Sequence, residues 1–263
     1  MHPHGTHFTR AIVRTPSASF AEGITTAGLG APDLQRALAQ HAAYCEALAR
    51  LGLAVTTLPP DDAHPDSTFV EDTAVVTERG AILARPGAPS RLGEIAAMRS
   101  ALEKHCGDLA AICAPGTLDG GDICQAGTHF FIGLSRRTNS EGARQLTLWL
   151  ERAGYTASTV DIRDDITLLH LKSGIAWLGP EALVVAESLA SLPDLAADHR
   201  LIAARAETYA ANCVRIHDAV LMAAGYPALA ERVAASGLRV VTLEMSEFRK
   251  MDGGLSCLSI RIP

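Results

Sequence analysis

The chain has 263 residues, 48% of them hydrophobic and 20% charged, with a formal net charge of −6. That is enough apolar material for a full core, and the acidic balance speaks against nucleic acid or an anionic membrane as the main partner. Six cysteines (Cys45, Cys106, Cys113, Cys124, Cys213 and Cys257) are scattered without CxxC pairs or CxxC…HxxxH spacing, which speaks against a structural zinc site.

The opening MHPHGTH reads as a frayed tail with at most loose metal affinity. It has no apolar signal region, and no apolar run later in the chain reaches membrane-span length. The expected setting is therefore the cytoplasm, with reduced thiols. Next comes HFTRAIVRTP, a strand candidate. Residues 33–51 place Leu34, Leu38, Ala42, Cys45 and Leu48 on one helical face, and Gly52 marks a stop. LAVTTL (53–58) then reads as a strand ending at Pro59-Pro60.

The same helix–glycine–strand grammar recurs. IAAMRSALEKHC, Gly107 and DLAAICAPG form one copy, weak at the strand. LTLWLERA, Gly154 and YTASTVDI form another, and LAERVAAS, Gly237 and LRVVTLEM a third; a blurred copy lies near 183–203. Between copies stand acidic or glycine-rich loops followed by apolar hairpins, which begin after Asp72, Asp122, His170, Asn212-Cys213 and Cys257. The last hairpin, LSIRIP, lacks a return strand, which HFTRAIVRTP would supply by closing a ring. A period of roughly 43–50 residues fits a propeller-like array. Such an array brings Asp72, Asp119, His170 and Cys257 to one end of a common axis.

Four clusters carry chemistry. DSTFVEDTAVV (66–76) sets Asp66, Glu71 and Asp72 around an apolar pair, and carboxylates there suit a cationic ligand. PGTLDGGDICQAG (115–127) puts glycines beside two aspartates, so that backbone can approach a small ligand closely. LLHLKS (168–173) holds a histidine in an apolar stretch. KMDGGLSCLSI (250–260) presents a cysteine after a Gly-Gly turn, where a positive neighbour would favour its thiolate. Each motif alone reads as readily as a turn or a core residue.

Together they resemble the dimethylarginine dimethylaminohydrolase family, within the superfamily of arginine deiminases and amidinotransferases. The matching stretches are FVEDTAVV (69–76), RPGAPSR (85–91), LDGGD (118–122), FFIGLSRRTN (130–139), LHLKS (169–173) and MDGGLSC (251–257), in the family's order and across nearly the whole chain. The resemblance implies an α/β fold: a five-bladed α/β propeller (pentein) of pseudo-symmetric ββαβ-type repeats around a central active site, with residues 1–263 as one catalytic domain. It implies hydrolysis of N-omega-methylated L-arginine to L-citrulline plus dimethylamine or methylamine. It places the nucleophile at Cys257, the general acid/base at His170, and the acid beside that histidine at Asp119, where some relatives carry Glu. The guanidinium-facing carboxylate falls on Asp72, with Glu71 beside it. Asp66 would meet the α-amino group, Arg91 and Arg137 the α-carboxylate. Main-chain contacts fall near Met251 and in a lid near Ile24, within SFAEGITTAGLG (19–30).

No metal or organic cofactor is implied, and the expected partner is a small molecule, methylated arginine. Relatives include monomers and dimers, so a homodimer is compatible with the apolar helices. Two other readings fit the same residues: a related arginine deiminase, guanidine hydrolase or amidinotransferase, and a non-catalytic amino-acid- or metal-binding relative. Joint retention of Cys257, His170 and Asp119 weighs against the second.

Overall fold

Five three-stranded sheets make up the computed structural model, which describes residues 7–107, 109–180, 182–192, 195 and 199–263. Residues 1–6 of the N-terminal tail lie outside that set. In the first sheet β1 (Arg10–Arg14) leads through α1 (Leu34–Arg50) to the parallel β2 (Ala54–Leu58). The second sheet is the antiparallel hairpin β3 (Ala74–Thr77) and β4 (Gly80–Leu83), then α2 (Glu94–Leu102) and the parallel β5 (Leu109–Ala111). The third repeats this with β6 (Ile123–Ala126), β7 (His129–Leu134), α3 (Ser140–Arg152) and β8 (Thr156–Asp161). The fourth has β9 (Ile175–Trp177), β10 (Leu183–Ala186) and β11 (Arg200–Ala203). The fifth has β12 (Val214–Ile216), β13 (Ala219–Ala223), α4 (Pro227–Ala235) and β14 (Arg239–Leu243).

The final strand, β15 (Ile260–Ile262), pairs antiparallel with β1 in the register Arg10↔Ile262. The two ends of the chain thus complete one blade, as the missing return strand of LSIRIP requires. The result is a five-bladed α/β propeller whose inner strands face a common axis. The middle strands are near-continuous apolar runs, such as fully buried AVLMA in β13, because helices and neighbouring blades cover both their faces.

Helix ends follow the glycines. Gly52, Gly154 and Gly237 adopt φ of 92°, 79° and 90° just past α1, α3 and α4, a left-handed turn that costs other residues more. α2 ends at Leu102, short of Gly107, and the amides of His105 and Cys106 both return to the Leu102 carbonyl. The buried stripe of α1 also differs from the apolar pattern. It runs through Ala37, His41, Tyr44, Ala47 and Leu48, while Ala42 is exposed. A polarity count misses Tyr44 because its ring is buried with the hydroxyl satisfied by Ser259 Oγ at 2.7 Å. In the fourth unit the described residues hold a short 3-10 turn, Glu187–Leu189, between β10 and β11. No helix among the described residues is long and apolar enough to cross a membrane.

Candidate active site

Eight of the ten residues expected from the motifs line one small cavity of about 20 Å³: Ile24, Asp66, Asp72, Arg91, Arg137, His170, Met251 and Cys257. Asp119 stands directly behind it, fully buried, accepting from His170 Nε2 at 3.0 Å. Glu71 is the one that the structure places elsewhere. On the 3-10 turn Val70–Thr73 the two consecutive carboxylates diverge. Asp72 reaches the small cavity, whereas Glu71 lines a second, larger one. Glu71 there accepts from Ser256 Oγ at 2.6 Å and Arg261 Nη2 at 2.9 Å, and pairs with Lys172 Nζ at 2.6 Å. With three donors on it, Glu71 holds the wall of the site rather than a guanidinium inside it.

The remaining carboxylates are held from behind. Asp72 takes Arg91 Nη1 at 2.6 Å and the Gly121 amide at 2.9 Å, with His170 Nδ1 at 4.0 Å. Gly121 must be glycine: an added Cβ would lie 2.7 Å from Asp72 Oδ1 and 2.8 Å from His170 Nδ1. LDGGD thus lets an aspartate and a histidine from different blades approach over bare backbone. Asp66 accepts the Ile24 amide at 3.0 Å, which fastens the expected lid to the cavity. Gly23 permits this, since a Cβ there would come 2.6 Å from Asp66 Oδ1. The lid is latched a second time by Asp252, which accepts from the Thr26 amide and hydroxyl.

The two arginines are not equivalent. Arg91 is buried, its fork spread over both Glu94 oxygens (2.9 Å each), Asp72 and the Phe69 carbonyl. One N–H of Nη1 remains to meet a ligand. Arg137 lines the same cavity, and among the described residues its guanidinium has no hydrogen-bond partner. The fork that can bind a carboxylate bidentately is therefore Arg137, with Arg91 first fixing Asp72.

Electrostatics separate the two reactive groups. Burial alone would lower the His170 pKa, but the surrounding Asp72, Asp122 and Asp119 outweigh it and push it up to about 9. His170 is thus a cation at neutral pH. Burial, then Glu71 and Asp72, push the Cys257 thiol up to about 12, against the weaker opposing pull of the Gly254 amide and Lys172. That amide lies 3.5 Å from Sγ. At neutral pH these surroundings keep Cys257 as a thiol. Burial also raises Asp66, with Arg91 and the Ile24 amide opposing. Asp72, Asp119 and His170 each bring one potential ligand atom within 4.8 Å of the others, the one such trio among the described residues. Asp119 and His170 are already hydrogen-bonded to each other, and Asp72 to Arg91 and Gly121.

Two supports escaped the sequence reading. Asp122, the last residue of LDGGD, is fully buried and accepts from Ser135 Oγ and Thr138 Oγ1 at 2.6 Å each and from the Leu171 amide at 2.9 Å. It ties the turn that carries His170 to the SRRTN loop that carries Arg137, and the pairing of those two motifs was the available signal. Asn212 joins the Lys172 carbonyl, Ser256 Oγ and the Ser256 amide, so it braces the residue before Cys257. It stood in the sequence only as a blade landmark.

A cysteine and a histidine meet at the axis of a five-bladed α/β propeller, among carboxylates and arginines, an arrangement that suits a guanidino-group-modifying enzyme. No family model matches the chain. It is 44% identical over 255 residues to a Pseudomonas aeruginosa protein named N(G),N(G)-dimethylarginine dimethylaminohydrolase, covering 97% of this chain and 99% of that one. A Streptomyces coelicolor protein of the same name is 36% identical, with 96% of each covered. Among solved structures, the Pseudomonas aeruginosa enzyme in a cysteine-to-serine form complexed with citrulline superposes with a TM-score of 0.95 at 43% identity, over 98% of this chain and all of that one. The N-terminal domain of the cyanobacterial arginine dihydrolase ArgZ, at 18% identity and a TM-score of 0.86 over 98% of both chains, shares the fold. The chain belongs to the dimethylarginine dimethylaminohydrolase family.

Proposed function

We propose that this chain hydrolyses N-omega-methylated L-arginine to L-citrulline and dimethylamine or methylamine. The observation that carries the reading is the small cavity itself: Cys257 and His170 on its wall, Asp66 and Asp72 at hand for cationic nitrogen, and the Arg137 fork for a carboxylate. The names of the relatives, and the citrulline bound to one of them, agree with it.

A guanidinium carbon is a poor electrophile, so it must be held planar and aimed at sulfur. Asp72 accepts the guanidinium N–H groups with the lone pairs left by Arg91 and Gly121. Asp66 takes the α-amino group, Arg137 with the spare N–H of Arg91 takes the α-carboxylate, and the Ile24 and Met251 main chains close over the ligand. The incoming cation favours loss of the Cys257 proton to solvent, and the thiolate attacks the guanidinium carbon. His170, held protonated by Asp119, donates to the departing methylated amine, and the C–N bond breaks. A thiouronium remains on Cys257. Neutral His170 then takes a proton from water, hydroxide adds, and the adduct collapses: the C–S bond breaks, the hydroxyl proton passes to the departing sulfur, and citrulline leaves with Cys257 again a thiol.

Incubation with asymmetric dimethylarginine, arginine and agmatine, with assay of ureido product and released amine, tests the reading. Citrulline and dimethylamine from the first, with far slower turnover of the other two, is the expected result. Ammonia release from arginine at a greater rate would assign the chain to a deiminase activity instead.

A further inference from the structure

The propeller axis holds a second cavity, of about 530 Å³, on the far side of the wall that carries Cys257 and His170. Neighbours in sequence divide between the two: Glu71 and Ser256 face the large cavity, Asp72 and Cys257 the small one. The sides of the large cavity are apolar and aromatic, with Phe8, Val75, Phe130, Trp177, Val214 and Ile260 from all five blades. Its floor is charged. Lys172 and Arg261 both lie on the single carboxylate Glu71, at 2.6 and 2.9 Å from the same oxygen. Two cations share one anion there, and Arg215 on the same lining adds a third, so cations outnumber carboxylates around the cavity. The exposed Asp218 at the rim is held by Arg239 outside the shaft, so it does not balance the floor. An uncompensated buried cation is costly unless an anion or water meets it.

We propose that this cavity binds a small organic acid with an aromatic body, its carboxylate on Lys172 and Arg261 and its ring against Trp177 and Phe8. The volume lies within the range of small-molecule sites, and apolar walls with a few convergent polar groups are their usual make-up. A carboxylate arriving beside Lys172 gains a charge-assisted hydrogen bond in a partly water-excluded site. The small cavity differs in holding both signs of charge on its wall, with Asp66, Asp72 and Asp252 beside Arg91, Arg137 and His170. The inference does not depend on the reaction proposed above.

The test uses the full chain with Trp149→Phe, which leaves Trp177 as the sole tryptophan reporter. 2-Naphthoate is titrated against Trp177 emission, with neutral 2-naphthamide as its uncharged counterpart. A saturable change with naphthoate is expected, and binding of the amide weaker by about tenfold or more, the worth of a charged hydrogen bond. Lys172→Gln should bring naphthoate down to the level of the amide, and Lys172→Arg should restore it. Equal binding of acid and amide to the Lys172-containing chain, no saturable change, or naphthoate binding untouched in a folded Lys172→Gln variant would overturn the proposal. The acid–amide comparison needs no substitution at Lys172, so it decides the matter even if that variant fails to fold.

Discussion

The two cavities of this propeller are built from the same five blades and differ in almost every physical respect. The small one, about 20 Å³, gathers Asp66, Asp72 and the Asp119-bound His170 around Cys257. The large one, about 530 Å³, is apolar along its sides and ends in Lys172 and Arg261 on Glu71. The contrast shows what a pseudo-symmetric repeat can do. On two 3-10 turns at the axis, successive residues fall on opposite sides of one polar wall, so Glu71-Asp72 and Ser256-Cys257 each supply both. At the thiol in the small cavity, Glu71 and Asp72 add to burial in disfavouring the thiolate. Burial likewise leads at Cys124 and Cys213 in the large one, raised to about 11 and about 12, but there no pair of carboxylates comes next.

The largest expected effect comes from Cys257→Ser, which should lower turnover at least about 10³-fold with the fold intact, since a hydroxyl lacks the nucleophilicity of a thiolate. Cys213→Ala, across the wall, should leave turnover within about twofold. Steady-state rates beside circular dichroism of both variants check the pair. Comparable losses in the two would erase the distinction between the cavities.

The second prediction concerns charge. With its pKa pushed up to about 12, Cys257 in the empty protein should form thiolate only as the pH rises well past neutrality. A bound, non-reactive guanidinium places positive charge beside sulfur and should move that ionisation downward by more than one pH unit, a shift of about 1.4 kcal/mol per unit. Thiolate ultraviolet absorbance against pH, with and without ligand and with Cys257→Ser as blank, reads it directly. The same midpoint in both states would favour a standing Cys257–His170 ion pair.

Arg137→Lys sharpens the comparison at the other end of the small cavity. A point charge replacing a free bidentate fork should raise KM by about tenfold with a smaller change in kcat, whereas Arg91→Lys should depress kcat as well, because Arg91 fixes Asp72. Agmatine processed as well as dimethylarginine would remove the basis for both roles. The smallest effect is expected from metal removal. Dialysis against a strong chelator should leave activity unchanged or raise it, and a loss restored only by a divalent ion would recast Asp72, Asp119 and His170 as ligands.

Much of this architecture is legible in the sequence because the repeat writes it several times. Gly52, Gly154 and Gly237 punctuate three blades alike, and an unpaired last strand demanded an N-terminal partner. The family resemblance of the motifs also pointed to eight residues that meet at one cavity. The direction in which a side chain leaves a tight turn is not written that way. Glu71 and Asp72 are adjacent acids in one motif, and only the 3-10 turn decides that one faces the small cavity and the other Lys172, Ser256 and Arg261. Partners are equally silent. His41 and Tyr44 read as polar breaks in a helix face, yet both are buried, Tyr44 with its hydroxyl on Ser259 and His41 with its pKa lowered by burial to about 4. Arg91 and Arg137 look alike until Glu94 is seen to occupy most of the first.

The central claim is that Cys257 alone bonds to the guanidinium carbon. It is tested most directly by mixing excess protein with dimethylarginine, quenching in acid within the first turnover, and mapping the modified peptide among the six cysteines. The account predicts a single adduct, on Cys257, absent from Cys257→Ser and formed before citrulline accumulates. An adduct on Cys124 or Cys213, or citrulline formed at full rate with no adduct on any cysteine, would contradict it.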